Sequence, residues 1–436
     1  MKTQPRKVEK VNVLTLGCSK NLVDSENLLT QLRAGGVAAT HEAANDRNGI
    51  VVVNTCGFID RAKEESIQTV LEQAERKARG EIRQLYVTGC LSERYRDTLV
   101  AEMPEVDGFF GTQDMPDLLK ALGVDYKHNL LGERQTTTAS HFAYLKISEG
   151  CDRPCSFCAI PLMRGGHRSR PMEELVNEAR WLVSRGVKEL LLIAQDSTYY
   201  GLDLYGKRRL ADLLAALDGV EGLQWIRLHY AFPSGFPEDA LEVMASSKRI
   251  ARYLDMPLQH ASDTMLKSMR RGITRAKTEQ LIRKIREKVP GIALRTTFIV
   301  GYPGETEADF QELLQFLREQ RFERAGCFQY SHEEQTHAYK LEDSLPAEEK
   351  ERRAEELMAV QQEISFDLNR QQVGHTLPVI IDRFEGNYAI GRTEYDSPEV
   401  DNEVLIHDGN HLTQGEVYPV RVTDVMEFDL IGRVVN

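Results

Sequence analysis

Short apolar runs alternate with longer amphipathic stretches along the first third of the chain. Residues 11–16, 50–54 and 85–88 are β-branched-rich runs that stop at Gly or Cys, the pattern of buried strands. Each is followed by a stretch with helical spacing, at 24–34, 61–79 and 93–101. Such alternation predicts a parallel sheet with helices on its faces. The polar patch Gln135-Thr136-Thr137-Thr138-Ala139-Ser140 reads as a linker. From Phe142 the alternation resumes, with candidate strands at 143–148, 189–194, 225–230, 253–256, 293–300 and 324–330 and helical patterns between them, such as 173–184, 278–288 and 307–318. Six such units predict a partial (β/α)6 barrel. A charged stretch from Ala347 to Arg370, without Gly or Pro, predicts a solvated helix. Beyond it, short strand-like runs at 376–381, 388–392, 403–406 and 416–425 are separated by Gly, Asn and Asp, which predicts a small antiparallel β-barrel. The expected fold class is thus α/β in three domains, at 1–135, 136–369 and 370–436.

Composition narrows the class. Of the 436 residues, 41% are hydrophobic and 28% charged, as in soluble globular proteins. No apolar run approaches the ~20 residues of a membrane span. The start, Met1 to Lys10, is polar and basic, and the apolar run after it is too short for a signal-peptide core. The expectation is a cytoplasmic protein with no membrane association. Seven cysteines in such a chain are thiols, metal ligands or catalysts rather than a disulfide framework. The 55 basic and 67 acidic residues leave a net charge of −12, which argues against gripping phosphate backbones and favours a basic partner.

The cysteines fall into two groups. Cys151, Cys155 and Cys158 form C-x3-C-x2-C directly after the first expected barrel strand, at the end where barrel enzymes place their chemistry. Three thiolates on one loop can hold three irons of a 4Fe-4S cluster, leaving the fourth open to substrate. A structural zinc site is the competing reading, but it needs a fourth ligand. The nearest candidate is His167, and no second CxxC flanks the motif. Cys18, Cys56 and Cys90 each follow an expected strand, in VLTLGC, VVVNTC and LYVTGC. A parallel sheet would bring all three to its carboxyl edge, where open α/β sheets bind ligands. A second three-thiol cluster is expected there, against the alternative of three small buried residues at strand ends. Cys327, inside the run Ala325-Gly326-Cys327-Phe328, reads as a structural thiol.

The motifs LGCSKNLVDSE, NTCGFI and EGCDRPCSFCAIPLMRGGHRSRP resemble the methylthiotransferase branch of the radical S-adenosylmethionine (SAM) enzymes. The likeness spans nearly the whole chain: amino-terminal methylthiotransferase domain, radical core and carboxyl-terminal TRAM-type barrel. Within the branch, the flanks of the cysteines are most similar to enzymes that methylthiolate the β-carbon of an aspartate in small-ribosomal-subunit protein twelve. The resemblance implies that Cys18, Cys56 and Cys90 ligate an auxiliary 4Fe-4S cluster, and Cys151, Cys155 and Cys158 the radical SAM 4Fe-4S cluster. It implies that one SAM molecule donates a methyl group to a sulfur at the auxiliary cluster. A second yields a 5′-deoxyadenosyl radical that takes hydrogen from the substrate carbon. An electron donor such as a flavodoxin or ferredoxin and a sulfur-delivery protein are the implied partners. Both clusters should then face one substrate space.

For the SAM pocket, many radical enzymes carry Gly-Gly-Glu after the second barrel strand; this chain has Ala194-Gln195-Asp196-Ser197, which makes Gln195 a candidate. Phe157, between two cysteines, is placed to pack on adenine or to fill the core. In FIVGYPGET (298–306), Gly301 and Gly304 either let backbone approach the nucleoside or form an ordinary turn capped by Thr306.

Relatives that act on transfer RNA share the architecture. From Arg370 to the end, however, there are five arginines, no lysine and twelve acids. That balance favours a basic protein over RNA as substrate, with no direct nucleic-acid specificity. The reading from a different class is a non-catalytic iron–sulfur carrier.

Overall fold

The computed structural model describes residues 10–44, 47, 49–130, 132–407 and 409–435; the polar start through Glu9 and the acid Asp408 lie outside them. The described chain forms two compact units. One comprises the chain through Thr138 with Glu149–Asp152 and Ala159–Arg168; the other comprises Ala139–Ser148, Arg153–Cys158 and the chain from Ser169 on.

The first unit is a five-stranded parallel sheet in the order Ala38–His41, Lys10–Thr15, Ile50–Thr55, Gln84–Gly89, Gly108–Phe109. The central run IVVVNT is buried throughout, because helices cover both faces. Alternation divides it: Val52 joins Leu29, Leu32 and Leu119 on one face, while Val51 and Val53 join Val70, Leu85 and Leu91 on the other. The helices Ser19–Ala34, Asp60–Ala78 and Cys90–Glu102 match the expected ones and begin earlier. The two edge strands, short and partly polar, were not expected. The polar patch expected as a linker is partly tied down. Glu26, fully buried and ion-paired with Arg134, accepts a hydrogen bond from the Thr137 amide at 2.6 Å.

The second unit carries the partial barrel. Its six parallel strands, Phe142–Lys146, Glu189–Ile193, Trp225–Leu228, Ile250–Asp255, Ala293–Val300 and Arg324–Gln329, lie in chain order. Leu190, Leu192, Ile226, Leu228, Leu254 and Leu294 pack outward against the surrounding helices. The helix Ala347–Arg370 has the expected bounds but a different role. Leu357, Val360 and Ile364 are buried and pack in the same core as Ala325 and Cys327 of the last strand. A charged helix therefore covers an otherwise bare edge, its apolar stripe narrow enough to escape a reading by composition.

The carboxyl-terminal barrel is closed, with strands Thr376–Glu385, Tyr388–Arg392, Val404–His407, Leu430–Val434 and Val417–Val425 in that order. All pairs are antiparallel except Val404–His407 with Leu430–Val434. The fifth strand was missing from the expectation. This barrel has its own core, yet it belongs to the same compact unit as the partial barrel. Charge is the reason. Glu189, fully buried, pairs with Arg227 of the neighbouring strand at 2.8 Å and with Arg392 of the small barrel at 2.6 Å. Burial opposes its charge, but Arg392 and Arg227 outweigh burial and hold its pKa below the ordinary carboxylate value. The loop after Arg392 continues the pattern. Asp396 meets Arg324, Asp401 meets Arg295 at 3.2 Å and accepts from the Tyr253 hydroxyl at 2.7 Å, and Ser397 bonds His229 at 3.1 Å. These partners alternate with the outward-packed leucines, so they face the inside of the partial barrel, and the loop fills that end of it.

Replacing Arg392 by Met is expected to destabilise the second unit by about 3–5 kcal/mol, because Glu189 would stay buried with half its compensation gone; urea unfolding measures this. A second test concerns His260. Its Nδ1 accepts from the Ser262 amide at 3.0 Å, and burial drives its pKa down to about 3. The ring is neutral when folded, whereas an unfolded histidine titrates near 6.5. Between those values the unfolded chain binds the extra proton, so stability falls as pH drops through this window. The contribution is on the order of 1.4 kcal/mol per pH unit. Unfolding midpoints measured from pH 7 to pH 5 should fall less steeply in His260→Asn.

Candidate functional site

The strands Lys10–Thr15, Ile50–Thr55 and Gln84–Gly89 are parallel neighbours, so their carboxyl ends lie side by side. Cys18 is the residue before the helix Ser19–Ala34, Cys56 directly follows the central strand, and Cys90 opens the helix Cys90–Glu102. Helix amino termini favour thiolates. Cys18 is exposed; Cys56 and Cys90 are buried. Burial raises the pKa of both, that of Cys90 to about 12, and the charge of Cys18 adds to the rise in each case. The three thiols are thus electrostatic neighbours. They lie along the one sheet edge to which parallel topology assigns them.

The residues flanking these cysteines explain how closely the loops pack. Gly17 has φ +92°, and a Cβ there would lie 2.7 Å from the Cys56 Cβ and 2.9 Å from its sulfur. A Cβ on Gly57 would lie 2.8 Å from the backbone of Leu91. Only glycine lets the three loops close to this distance. Asn21 ties them together: its Nδ2 donates to the carbonyls of Leu16 and Thr55 at 2.8 and 3.1 Å, and its Oδ1 lies 3.7 Å from the Cys90 sulfur. Asn54 donates to the Asn21 carbonyl at 2.9 Å.

Arg164, which the sequence reading did not single out, reaches the same edge. It is 3% exposed. Its guanidinium donates to Asn21 Oδ1 at 2.5 Å, to Asp24 at 2.8 Å and to Glu149 at 3.1 Å, and its charge lowers the proton affinity of Cys90 against the larger effect of burial. The signal was its place in PLMRGGH, within the conspicuous cysteine motif.

In that motif, the Cys151 amide donates to the Gly165 carbonyl at 3.0 Å. Gly150, at φ +72°, leaves no room for a Cβ against the Gly165 and Gly166 carbonyls. The His167 amide donates to Asp152 at 3.0 Å. Cys155 and Cys158 are half-buried, with the Cys158 amide on the Cys155 carbonyl at 3.3 Å. Ser156 anchors this part: its amide donates to Met269 O at 3.1 Å and its hydroxyl bonds Ser268 O and the Tyr302 hydroxyl, both at 2.9 Å. Among the described residues no three His, Cys, Asp or Glu side chains are grouped to hold a metal ion. Thiolates are soft donors, suited to iron–sulfur clusters as well as to zinc.

The SAM-pocket candidates are distributed as follows. Phe157 is half-buried and packs with Met265, Met269, Tyr302 and Tyr330. Gln195 lies just beyond the second barrel strand, beside Asp196, which accepts from Arg153 Nε at 2.6 Å. Gly301 needs no nucleoside to explain it: φ is +75° and a Cβ would strike the Lys350 side chain at 2.4 Å. Thr306 and Asp309 form a capping box, the ordinary-turn alternative. Around Gly304 there is open space. Cys327 packs in the core, and burial raises its pKa to about 12.

Residues 145–317 match the radical SAM superfamily, 10–111 an uncharacterized family designated UPF0004, and 373–435 the TRAM domain. The chain is 59% identical over 437 residues to ribosomal protein uS12 methylthiotransferase RimO of Cytophaga hutchinsonii, covering 100% of both chains. It is 60% identical to the RimO of Flavobacterium johnsoniae, with 99% of each covered. The chain belongs to the RimO family of radical SAM methylthiotransferases. Among solved structures, the radical SAM methyltransferase TsrM of Kitasatospora setae aligns with a TM-score of 0.57 at 14% identity, over 87% of this chain and 79% of that one, a likeness of fold. The expected architecture is therefore that of the RimO family: parallel α/β sheet, radical SAM barrel and closed TRAM barrel.

The geometry at Gly17 gives a direct test. Gly17→Ala should cost about 1–3 kcal/mol of stability through backbone strain and steric conflict. Gly36→Ala, at φ +79° but facing open space, should cost less. Thermal melts of both variants, with alkylation of Cys56 followed by mass spectrometry, measure the difference.

Proposed function

We propose that this enzyme inserts a methylthio group at the β-carbon of an aspartate in ribosomal protein uS12, using two 4Fe-4S clusters and SAM. Cys18, Cys56 and Cys90 hold the auxiliary cluster; Cys151, Cys155 and Cys158 hold the radical cluster. The full-length identity of 59% to a relative named for uS12 methylthiotransfer carries the reading. The placement of three thiols as electrostatic neighbours along one sheet edge supports the auxiliary site. Residues 1–135 serve that site, 136–369 serve the radical site and 370–436 serve substrate recognition.

An iron–sulfur cluster with an open iron supplies the electron that splits the sulfonium of SAM, chemistry suited to a carbon with no acidic proton. The protein's part is to position and shield. Gly17, Asn21 and Asn54 hold the three loops at the distance the thiols need. Arg164 supplies positive charge where thiolate charge accumulates. At the other cysteines, Ser156 fixes the loop, Phe157 and Gln195 line the SAM pocket, and Gly304 leaves backbone accessible beside it. Gly301 stays in the proposal only as a neighbour of that pocket. An electron donor of the flavodoxin or ferredoxin class and a sulfur-delivery protein complete the reaction in the cytoplasm. No helix of the described residues is long and apolar enough to cross a membrane.

Reconstitution under anaerobic conditions should load about eight irons per chain. With reductant and SAM the protein should release 5′-deoxyadenosine and add about 46 Da to uS12, the replacement of H by SCH3. A modified nucleoside in transfer RNA with unchanged uS12 would point to the nucleic-acid branch instead. Cys155→Ala should abolish both cleavage and product. Cys56→Ala should keep some cleavage and insert no sulfur.

A further inference from the structure

Arg271 occupies an unusual position. It is 4% exposed, in a segment bent by two left-handed residues, Arg270 at φ +56° and Gly272 at φ +65°. A non-glycine residue in that region carries strain that surrounding contacts must outweigh. The bend turns the Arg271 side chain inward. Its Nη1 donates to the Cys155 sulfur at 3.1 Å, and its Nη2 donates to the Pro257 carbonyl at 2.5 Å. The guanidinium lies 4.1 Å from the centroid of Phe232. Arg153 lies 4.0 Å from the same centroid and 3.7 Å from that of Tyr199.

The two arginines differ in how their charge is balanced. Arg153 meets the Asp196 carboxylate. Among the described residues no carboxylate pairs with Arg271. A buried cation with no counter-charge is costly. The side chain that its Nη1 faces is Cys155. The segment thus spends backbone strain and desolvation to place a fixed planar donor on one sulfur of the motif.

We propose that Arg271 is a positioning residue that hydrogen-bonds the Cys155 thiolate of the radical cluster and raises the cluster's reduction potential. Hydrogen bonds to cluster sulfurs and nearby positive charge stabilise the more negative, reduced state. In this step one electron enters from an added one-electron reductant, no bond is made or broken, and the guanidinium keeps its proton. Pro257 and Phe232 fix the guanidinium plane, so the donor is already oriented toward the sulfur. The inference rests on Cys155 being a cluster ligand, as proposed above.

The test is a reductive titration followed by electron paramagnetic resonance on the anaerobically reconstituted full chain, reading the signal that changes on adding SAM. Wild type, Arg271→Met and Arg271→Lys are compared at equal iron content. In Arg271→Met the midpoint should fall. At the wild-type midpoint the ratio of reduced to oxidised cluster should drop about tenfold, equivalent to about 59 mV for one electron. Arg271→Lys should fall part of the way, since an ammonium keeps the charge but cannot reach Cys155 and Pro257 as a planar fork. An unchanged midpoint in Arg271→Met with full iron overturns the inference. Should Arg271→Met fail to fold, as circular dichroism would show, an unchanged midpoint in Arg271→Lys overturns it equally. If wild type gives no SAM-responsive signal, or Cys155→Ala retains it, the cluster reading itself falls.

Discussion

Six parallel strands laid in chain order do not close into a barrel, and their inner faces still have to be filled. In this protein charge pairing fills one end. Glu189 lies fully buried between Arg227 and Arg392, and Arg295 and Arg324 receive Asp401 and Asp396 from the small barrel. None of these partners would tolerate burial alone. Two domains that are separate in sequence therefore fold as one compact unit. The opposite, carboxyl end of the strands is left to the cysteine motif and to Gln195. The division follows from parallel topology: every strand ends on the same side, so one end can be committed to structure and the other to chemistry.

The same topology governs the amino-terminal sheet. Three strand ends side by side are enough to bring Cys18, Cys56 and Cys90 near one another. Packing the loops that carry them against one another takes more. Gly17 and Gly57 remove the Cβ atoms that would hold the loops apart, and Asn21, donating to the Leu16 and Thr55 carbonyls, and Asn54, donating to the Asn21 carbonyl, tie the loops to the first helix. The motif residues around each cysteine are thus the means by which the loops pack together. Their chemistry is short-range packing and hydrogen bonding, which explains why they sit within a few positions of each sulfur.

Strand and helix order, the small barrel and the placing of three cysteines at one sheet edge were legible in the sequence, because each rests on periodicity or on a residue next to a strand end. What escaped was decided by long-range contacts. The edge strands Ala38–His41 and Gly108–Phe109 have too few apolar residues to announce themselves. The helix Ala347–Arg370 looked solvated because its buried stripe includes Lys350, Arg353 and Gln361. Arg164 shows the limit most clearly. It lies six residues beyond Cys158, yet in the structure it meets Asn21 and Asp24 near Cys90, a relation that no local pattern encodes. For Gly301 the sequence left a nucleoside approach and an ordinary turn both open; its φ and the Lys350 side chain require glycine there in either case.

The acidity of the carboxyl-terminal domain takes on a different meaning in three dimensions. Counted along the sequence, its acids suggested a surface that attracts a basic protein. In the fold, Asp382 pairs with Arg392 and His141, Asp396 with Arg324, Asp401 with Arg295 and Glu416 with Lys188, while Glu399 accepts from the Tyr144 hydroxyl. Much of the negative charge is thus directed inward, where it neutralises arginines of the partial barrel. A net charge does not establish a recognition surface until the internally paired groups have been removed from it. For this chain the preference for a protein substrate consequently rests on its full-length likeness to the uS12-directed relatives, and the acid excess is explained first by the need to hold two barrels together.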